Sequence, residues 1–565
     1  MEIRQYRPDL IGAAQQMKFD TTLTPERIAK YTAAGGWNDR SLLACFEHHV
    51  AHTPDQVAVV SPDGARLTYA ELGKSVETIA SNLHAAGLGQ GDVLSVQLPN
   101  CAELVLLHLA ALRLGAVTNP LLPNYRTKEL SYILNQAGTK ICVIPSVYRR
   151  FDYAAMYAEL RTSLPGVAEI FVRGAHDYAG LGSWETLLTE PATPAPRPSA
   201  DCNEVSLLAF TSGTESNPKG VMHSENTMMY GTQAMARLLD LTSQDVIWTP
   251  SPMGHGTAFQ WGMRLSITIG GRLVLQDLWD PAEALRLIAR EKCTFTLGAT
   301  PFASMLLECP EIGEHDLSSF RIFGCAGAPI PEQLGARFRE QTGCTLIGMW
   351  GMTECFVGSA SREDDQPEKL WLTDGAAMPG AELAIFDETR TRTLAPGEVG
   401  ELATRGPHVA LGYFQDPERT QATFRADGWL FSNDLATIDE KGYIRLVGRM
   451  KEIINRGGLK ISVREMEELL LSHGSFSAVA IVPVPDPRMV EKGCAFIVRR
   501  PGATASFREV TDYLESRGIA KYKLPEYFIP LDELPMTASG KIQKAQLKAD
   551  FIAGKFSSLD EVGAA

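Results

Sequence analysis

From about Leu67 onward the chain alternates helix-patterned and strand-patterned segments, and that rhythm leaves it few folds to choose from. A helical stretch over 74–86 precedes an apolar run at 93–98. A second helical stretch begins at Cys101 and leads to Ala116-Val117, and a third near 128–136 leads into the apolar run 141–144. Repeated βα units of this kind call for largely parallel sheets with helices on both faces. The same rhythm places further strands at 246–248, 273–275, 294–297 and 321–323. A Pro-rich stretch, 189–201, separates the two series as a subdomain boundary or a long exposed connection. After about Gly375 the texture changes to Gly- and Pro-punctuated β segments.

A second boundary falls between residues 448 and 449. The expected fold class is α/β: a large N-terminal body over 1–448, with parallel βα sheets and a β-rich subdomain, and a small mobile α+β lid over 449–565. The lid's first helix is signalled by Ser462 and Glu465 as a capping box, with Val463, Met466, Leu469 and Leu470 on one face.

Bulk properties narrow the functions. The 565 residues exceed what one core can serve, and 45% hydrophobic content is that of a globular enzyme. A formal charge of −14 argues against a nucleic-acid binder, since no basic surplus exists to neutralise phosphates. Ten scattered Cys, with no metal-ligand spacing, read as small core residues of a reducing compartment. The opening MEIRQYRPDL has no apolar signal core. The stretch from Cys101 to Val117 is interrupted by Glu103, His108 and Arg113, so it reads as a buried amphipathic helix rather than a membrane span. The expected location is cytoplasmic.

The strongest chemical signal is TSGTESNPKG, residues 211–220, directly after the apolar run 206–210. A strand that ends in such a loop offers backbone N–H groups and hydroxyls to an oxyanion, and Lys219 adds charge, which suits a polyphosphate. The spacing from Gly213 to Lys219 is not that of a Walker A loop. Taken alone, the segment is also compatible with an ordinary surface turn.

Five further segments follow in order: Gly327-Ala328-Pro329; Trp350-Gly351-Met352-Thr353-Glu354; Asp434 in Phe431-Ser432-Asn433-Asp434; GRMKEIINRGG over 448–458; and PMTASGK over 535–541. Together with the loop they resemble, from about residue 45 to about 545, the adenylate-forming superfamily of acyl-CoA synthetases, carrier-domain adenylating enzymes and luciferases. The resemblance implies that Thr211, Ser212, Gly213, Thr214 and Lys219 hold the ATP phosphates. It places Gly327, Ala328, Pro329, Trp350 and Gly351 around adenine, with Trp350 as a stacking face where most relatives carry Tyr. Thr353 would meet the α-phosphate, Glu354 would ligate Mg²⁺, Asp434 would accept the ribose hydroxyls and Arg449 would lie near ribose and phosphates. Lys451 falls at a hinge, Gly457 and Gly458 at the CoA tunnel, and Lys541 matches the lysine that binds the acid carboxylate and the α-phosphate.

What the resemblance implies is an ATP- and Mg²⁺-dependent ligase that makes an acyl-AMP and passes the acyl group to CoA. For the acid, His255 matches a catalytic gate position, and His255, Gly256, Phe259, Trp261, Cys325, Ala326 and Cys355 are expected to wall a nonpolar pocket. Gly256 stands where hydroxybenzoate-adenylating relatives carry Asn. The stretch 17–42 is similar to one in cyclohexanecarboxylate ligases, which points to an alicyclic or medium-chain acid. An aryl-acid ligase, a carrier-protein adenylating enzyme and a non-catalytic scaffold stand as alternatives. The expected partners are small molecules, with neither nucleic acid nor membrane span, and both monomer and homodimer are open.

Overall fold

The computed structural model describes residues 19–199, 201–211, 218–327, 330–457, 459–536 and 542–556. Two helix-covered sheets form the body. The larger has nine strands, and its central six run parallel: Thr345–Trp350, Ile322–Ala326, Phe295–Gly298, Val246–Thr249, Arg272–Leu275 and Val57–Val60, in that spatial order. The second has seven strands. Val93–Val96 and Val117–Pro120 lie inside it, and the antiparallel hairpin Val205–Thr211/Lys219–Ser224 forms one edge. Near-continuous apolar runs suit these strands because helices bury both faces.

The Pro-rich stretch is not a subdomain boundary, because the strands on either side of it, Gly182–Ser183 and Val205–Thr211, belong to the same seven-stranded sheet. It crosses the helical layer instead, where Ala195 donates to Ser81 and Arg113 donates to the carbonyls of Ala195 and Pro196. The helix Ala102–Arg113 is buried on nearly every side rather than amphipathic. Its three polar interruptions each find a partner: Glu103 with Arg173, His108 with Arg264 and Arg113 with Glu77.

Beyond Gly375 an antiparallel sheet forms from Glu382–Phe386, Gly400–Arg405, Leu430–Ile438 and Ile444–Arg449. The next sheet starts at Ile454 and is built on the hairpin Phe476–Asp486/Val490–Arg499. The helix Arg464–Ser472 begins one residue later than its capping box required. Val463 is the N-cap, and the Ser462 hydroxyl is drawn to the Val447 carbonyl. All ten cysteines are free and buried. No described helix is long and apolar enough to cross a membrane.

The two body sheets are joined through a charged pair with almost no solvent access. Arg264 is 0% and Glu225 5% exposed. Their side chains meet at 3.0 and 3.2 Å, while Glu225 also accepts from the Leu42 N–H at 2.7 Å and from Ser206 at 3.1 Å. Removing one partner leaves the other charge buried and alone. Arg264→Met should therefore destabilise the fold by about 3–5 kcal/mol in urea unfolding, with part of the loss recovered when Glu225→Gln is added.

Candidate active site

The carboxyl ends of the central parallel strands converge on a cavity of about 70 Å³, the edge at which open α/β sheets hold ligands. Its walls are Ser251, His255, Gly256, Thr257 and Trp261 after the strand Val246–Thr249, then Leu297–Ala299, Ala326 and Gly327. Gly351, Met352, Thr353, Phe356 and Val357 complete it. No Asp, Glu, Lys or Arg lines it among the described residues.

Four of the seven expected pocket residues line this cavity and three do not. Adjacent residues on a strand face opposite ways. Ala326 faces the cavity, whereas Cys325 is 1% exposed in the main core. Likewise Phe356 enters the cavity while Cys355 packs with Trp350 beneath the antiparallel sheet. Phe259 opens a π-helical turn, Phe259–Arg264, and turns away from Trp261 onto the His108 ring at 4.7 Å. His255 caps the turn that follows it, its Nδ1 accepting the Thr257 N–H at 3.2 Å.

Phe356 gave no sequence signal. Its backbone lies at φ +55°, a region a bulky side chain rarely occupies. The ring stacks on His223 with centroids 4.5 Å apart and meets Trp261 edge-on at 6.4 Å. A Cβ at Gly256 would come within 3.2 Å of that ring. At Gly351 a Cβ would sit 1.6 Å from the Phe356 carbonyl oxygen, so no side chain is compatible there.

Beside the cavity lie the polar residues. Glu354 is 4% exposed, and its Oε1 accepts the Tyr413 hydroxyl at 2.6 Å. Burial and this neighbouring carboxylate push the Tyr413 phenol well up. Lys219 is cross-strand from Thr211, at the base of the loop joining the two strands of the hairpin, and its Nζ lies 4.8 Å from the Tyr413 ring centre. Backbone bonds from Leu411 to Met222 (2.8 Å) and from Phe414 to Gly220 (2.7 Å) fasten the Tyr413 segment to the same hairpin. Tyr413 was also unforeseen: an aromatic residue 59 positions from its carboxylate partner leaves no local pattern.

Trp350 does not present an open stacking face. It is 3% exposed, its ring packs in the cluster beneath the antiparallel sheet, and its indole N–H donates to Asp434 Oδ2 at 2.8 Å. Asp434 is on a strand, not a loop, and its other oxygen meets Arg449 Nε at 3.2 Å, which holds the Arg449 pKa up. The preceding Asn433 takes the left-handed conformation at φ +61°, as its replacement of a usual Gly requires. Gly327 and Thr353 border the cavity, and the Thr353 carbonyl accepts from His223 Nε2 at 2.8 Å. Gly457 turns the hairpin Ile454–Arg456/Leu459–Ile461 at φ +58°. Lys451 lies in the 3₁₀ turn Met450–Glu452. Ser212, Gly213, Thr214, Ala328, Pro329, Gly458 and Lys541, and the side chain of Lys451, lie outside the described residues.

Among the described residues, none from the N-terminal segment lines the cavity. This stretch straps the 407–414 segment instead: Thr22 donates to Leu411 at 2.8 Å, Arg27 to Val409 at 2.7 Å and Trp37 to Pro407 at 3.1 Å. Among the described residues no cluster of three or more His, Cys, Asp or Glu could hold a metal ion.

A family model described as "AMP-binding enzyme" matches residues 46–414, and one described as "AMP-binding enzyme C-terminal domain" matches 465–541. The chain is 37% identical over 547 residues to a medium-chain fatty-acid–CoA ligase of Escherichia coli strain K12, covering 96% of each chain. It is 32% identical over 551 residues to a salicylyl-CoA synthase/salicylate adenylyltransferase of a Streptomyces species, covering 95% of this chain and 98% of that one. The solved structure of ATP-bound MatB from Rhodopseudomonas palustris superposes with a TM-score of 0.83 at 26% identity, covering 91% of this chain and 99% of that one.

His223 supplies a pH signature. Burial pushes its pKa down to about 4, opposed by the Thr353 carbonyl, whereas in the unfolded chain it is about 6.5. The native state therefore holds fewer protons than the unfolded state between these values. Its stability contribution is complete above pH ~6.5 and is lost as pH falls through about 4, by about 3 kcal/mol in total. Urea midpoints measured across this range should fall for the wild type, and less steeply for His223→Asn.

Proposed function

Because the chain belongs to the AMP-binding enzyme family and is an AMP-forming acid–thiol ligase, we propose that it joins a nonpolar alicyclic or medium-chain carboxylic acid to CoA through an acyl-adenylate. A carboxylate resists attack because its charge is delocalised and it has no leaving group; transfer of AMP onto it removes both obstacles. The acid oxygen attacks the α-phosphorus of ATP and pyrophosphate departs. The CoA thiol then attacks the acyl carbon and AMP departs.

Two anions must meet in the first step, so the site has to present cations and oriented donors. In this reading Lys219, Arg449, Lys541 and the 211–214 backbone and hydroxyls supply them, Thr353 meets the α-phosphate and Asp434 receives the ribose. His255 stands at the mouth of the acid cavity as its gate. Mg²⁺ suits the donor set. Glu354 is a buried carboxylate with one oxygen on Tyr413, and Mg²⁺ is held through one or two carboxylates plus substrate phosphates. Bound there, it would neutralise phosphate charge. Residues 449–565 form the lid that turns about Lys451 between steps, withdrawing Lys541 and bringing Gly457 and Gly458 to the thiol arm. In the arrangement described here Arg464 pairs with Asp374 at 3.1 Å and Arg445 with Glu468 at 3.2 Å across the two units.

The acid class rests on one observation: the cavity is uncharged, and Gly256 faces the Phe356 ring. An Asn at 256, the hydroxyl-reading residue of hydroxybenzoate relatives, would crowd that ring, which would have to give by a few tenths of an ångström. A hydrocarbon acid therefore fits better than a phenolic one, in keeping with the medium-chain relative. An aryl acid without ring hydroxyls is the second reading, favoured by the perpendicular Phe356 and Trp261 faces.

Two outcomes test the reading. Lys541→Ala should reduce acid-dependent pyrophosphate release by about 10²-fold or more, while thioester formation from supplied acyl-AMP persists; equal loss of both half-reactions would refute the two-step lid. Phe356→Ala should shift kcat/KM across a panel of aliphatic, alicyclic and aromatic acids by about tenfold or more in favour of the bulkier ones; an unchanged ranking would place the acid elsewhere.

A further inference from the structure

The opposite edge of the nine-stranded sheet carries a second cavity that the chemistry above does not use. It measures about 790 Å³, inside the range of about 300–1,000 Å³ typical of small-molecule sites. It opens where the chain enters the strands Val246–Thr249 and Arg272–Leu275, beside the end of the helix Pro281–Glu291. The acid cavity lies past the other ends of these four-residue strands, so roughly 13 Å of strand separates the two.

Its chemistry is lopsided. Arg66, Arg272, Arg290 and Lys292 line the hollow around a single carboxylate, Glu291. Glu291 Oε2 meets Arg66 at 2.7 Å and Arg272 at 3.6 Å, and its Oε1 meets Arg290 at 3.2 Å. Three guanidiniums, each with five N–H donors, thus converge on one carboxylate, and among the described residues Arg272 has only the Glu291 carbonyl, at 3.5 Å, besides. Lys292 pairs with Asp316 at 2.5 Å outside this cluster. Arg272 Nε is buried with no hydrogen-bond partner. The side chains of Arg66 and Arg290 are 43% and 56% exposed, so an incoming ligand can reach them. The surplus is local, since the whole chain carries a net charge of −14.

Two neutral donors in the wall are already committed: Thr294 donates to Asp245 at 2.7 Å and Ser319 to the Cys293 carbonyl at 3.1 Å, while Gln244 adds a side-chain amide. Among the described residues Val246 is the one hydrophobic residue in the lining, so the wall offers little to an acyl chain. What the wall offers is charge in planar, forked form, the geometry that matches phosphate and carboxylate oxygens.

We propose that this hollow is a binding site for a small polyanion bearing two or more phosphate or carboxylate groups, separate from the nucleotide site. Arg66, Arg272 and Arg290 clamp its oxygens, and Glu291 acts as the internal anion against which it competes. Carboxylate and phosphate share this recognition, so citrate and inorganic pyrophosphate serve as separate probes.

Calorimetric titration of the full-length enzyme tests it. Wild type should bind at least one probe with an affinity that falls as salt rises. Arg66→Gln/Arg290→Gln should weaken that binding by about tenfold or more, at roughly one decade per charge-assisted bond lost, with acid-dependent ATP turnover unchanged. Pyrophosphate still bound by this variant reports the nucleotide site, and the heat lost reports the hollow. Glu291→Gln should act in the opposite direction, tightening binding and giving the probe a larger stabilising shift in Tm, which a merely damaged fold cannot mimic. Equal binding of both probes by wild type and the double variant, or weaker binding by Glu291→Gln, would overturn the proposal.

Discussion

The body is organised around a charge pair that water does not reach. Arg264 ends the π-helical turn behind the cavity, and Glu225 begins the helix that follows the hairpin Val205–Thr211/Lys219–Ser224. Between them they take hydrogen bonds from or to the first residue of the helix Leu42–His52, the strand Val205–Thr211 and His108. Such a pair contributes little over a hydrophobic replacement, but breaking it from one side is costly. The arrangement therefore specifies rather than merely stabilises: a packing that slid either sheet would strand a full charge in the core. Burial and the Arg264 charge hold the His108 pKa far down, so the ring stays neutral and its Nε2 accepts from the guanidinium.

From that anchor the polar residues of the site are held by partners distant in sequence. Tyr413 reaches Glu354, Trp350 reaches Asp434, and His223 reaches the Thr353 carbonyl. Each bond joins a different pair of layers, and each buried polar group is thereby satisfied without a ligand. The N-terminal strap acts at one remove, fixing the 407–414 segment that carries Tyr413.

This division explains what the sequence made legible. The βα alternation, the antiparallel region after Gly375 and the order of the motifs are local signals written in period and spacing, and they lead to the observed sheets. The pocket wall is not local. Cys325 and Ala326 are equally apolar, and only the strand's alternation in the folded sheet decides that the second faces the cavity. Phe259 and Trp261 lie in one π-helical turn that no helical template foresees. Trp350 reads from the motif as a stacking face, whereas in the structure its ring is buried and its N–H donates to the buried Asp434.

Phe356 shows why the cavity is shaped by backbone as much as by side chains. A left-handed conformation at a bulky residue costs about 1–3 kcal/mol and persists only where the surroundings enforce it. Here they do. Gly351 brings its Cα against the Phe356 carbonyl, His223 holds the Thr353 oxygen at 2.8 Å, and the Cys355 N–H closes onto Met352 at 3.0 Å. With the turn pinned at three points, added space in the cavity comes from the ring and not from the main chain. The cavity of about 70 Å³ is smaller than the 150 Å³ or so that admits benzene in an engineered core. In the role proposed for this cavity, a ring-sized or branched acid would have to displace the Phe356 side chain from its stack on His223.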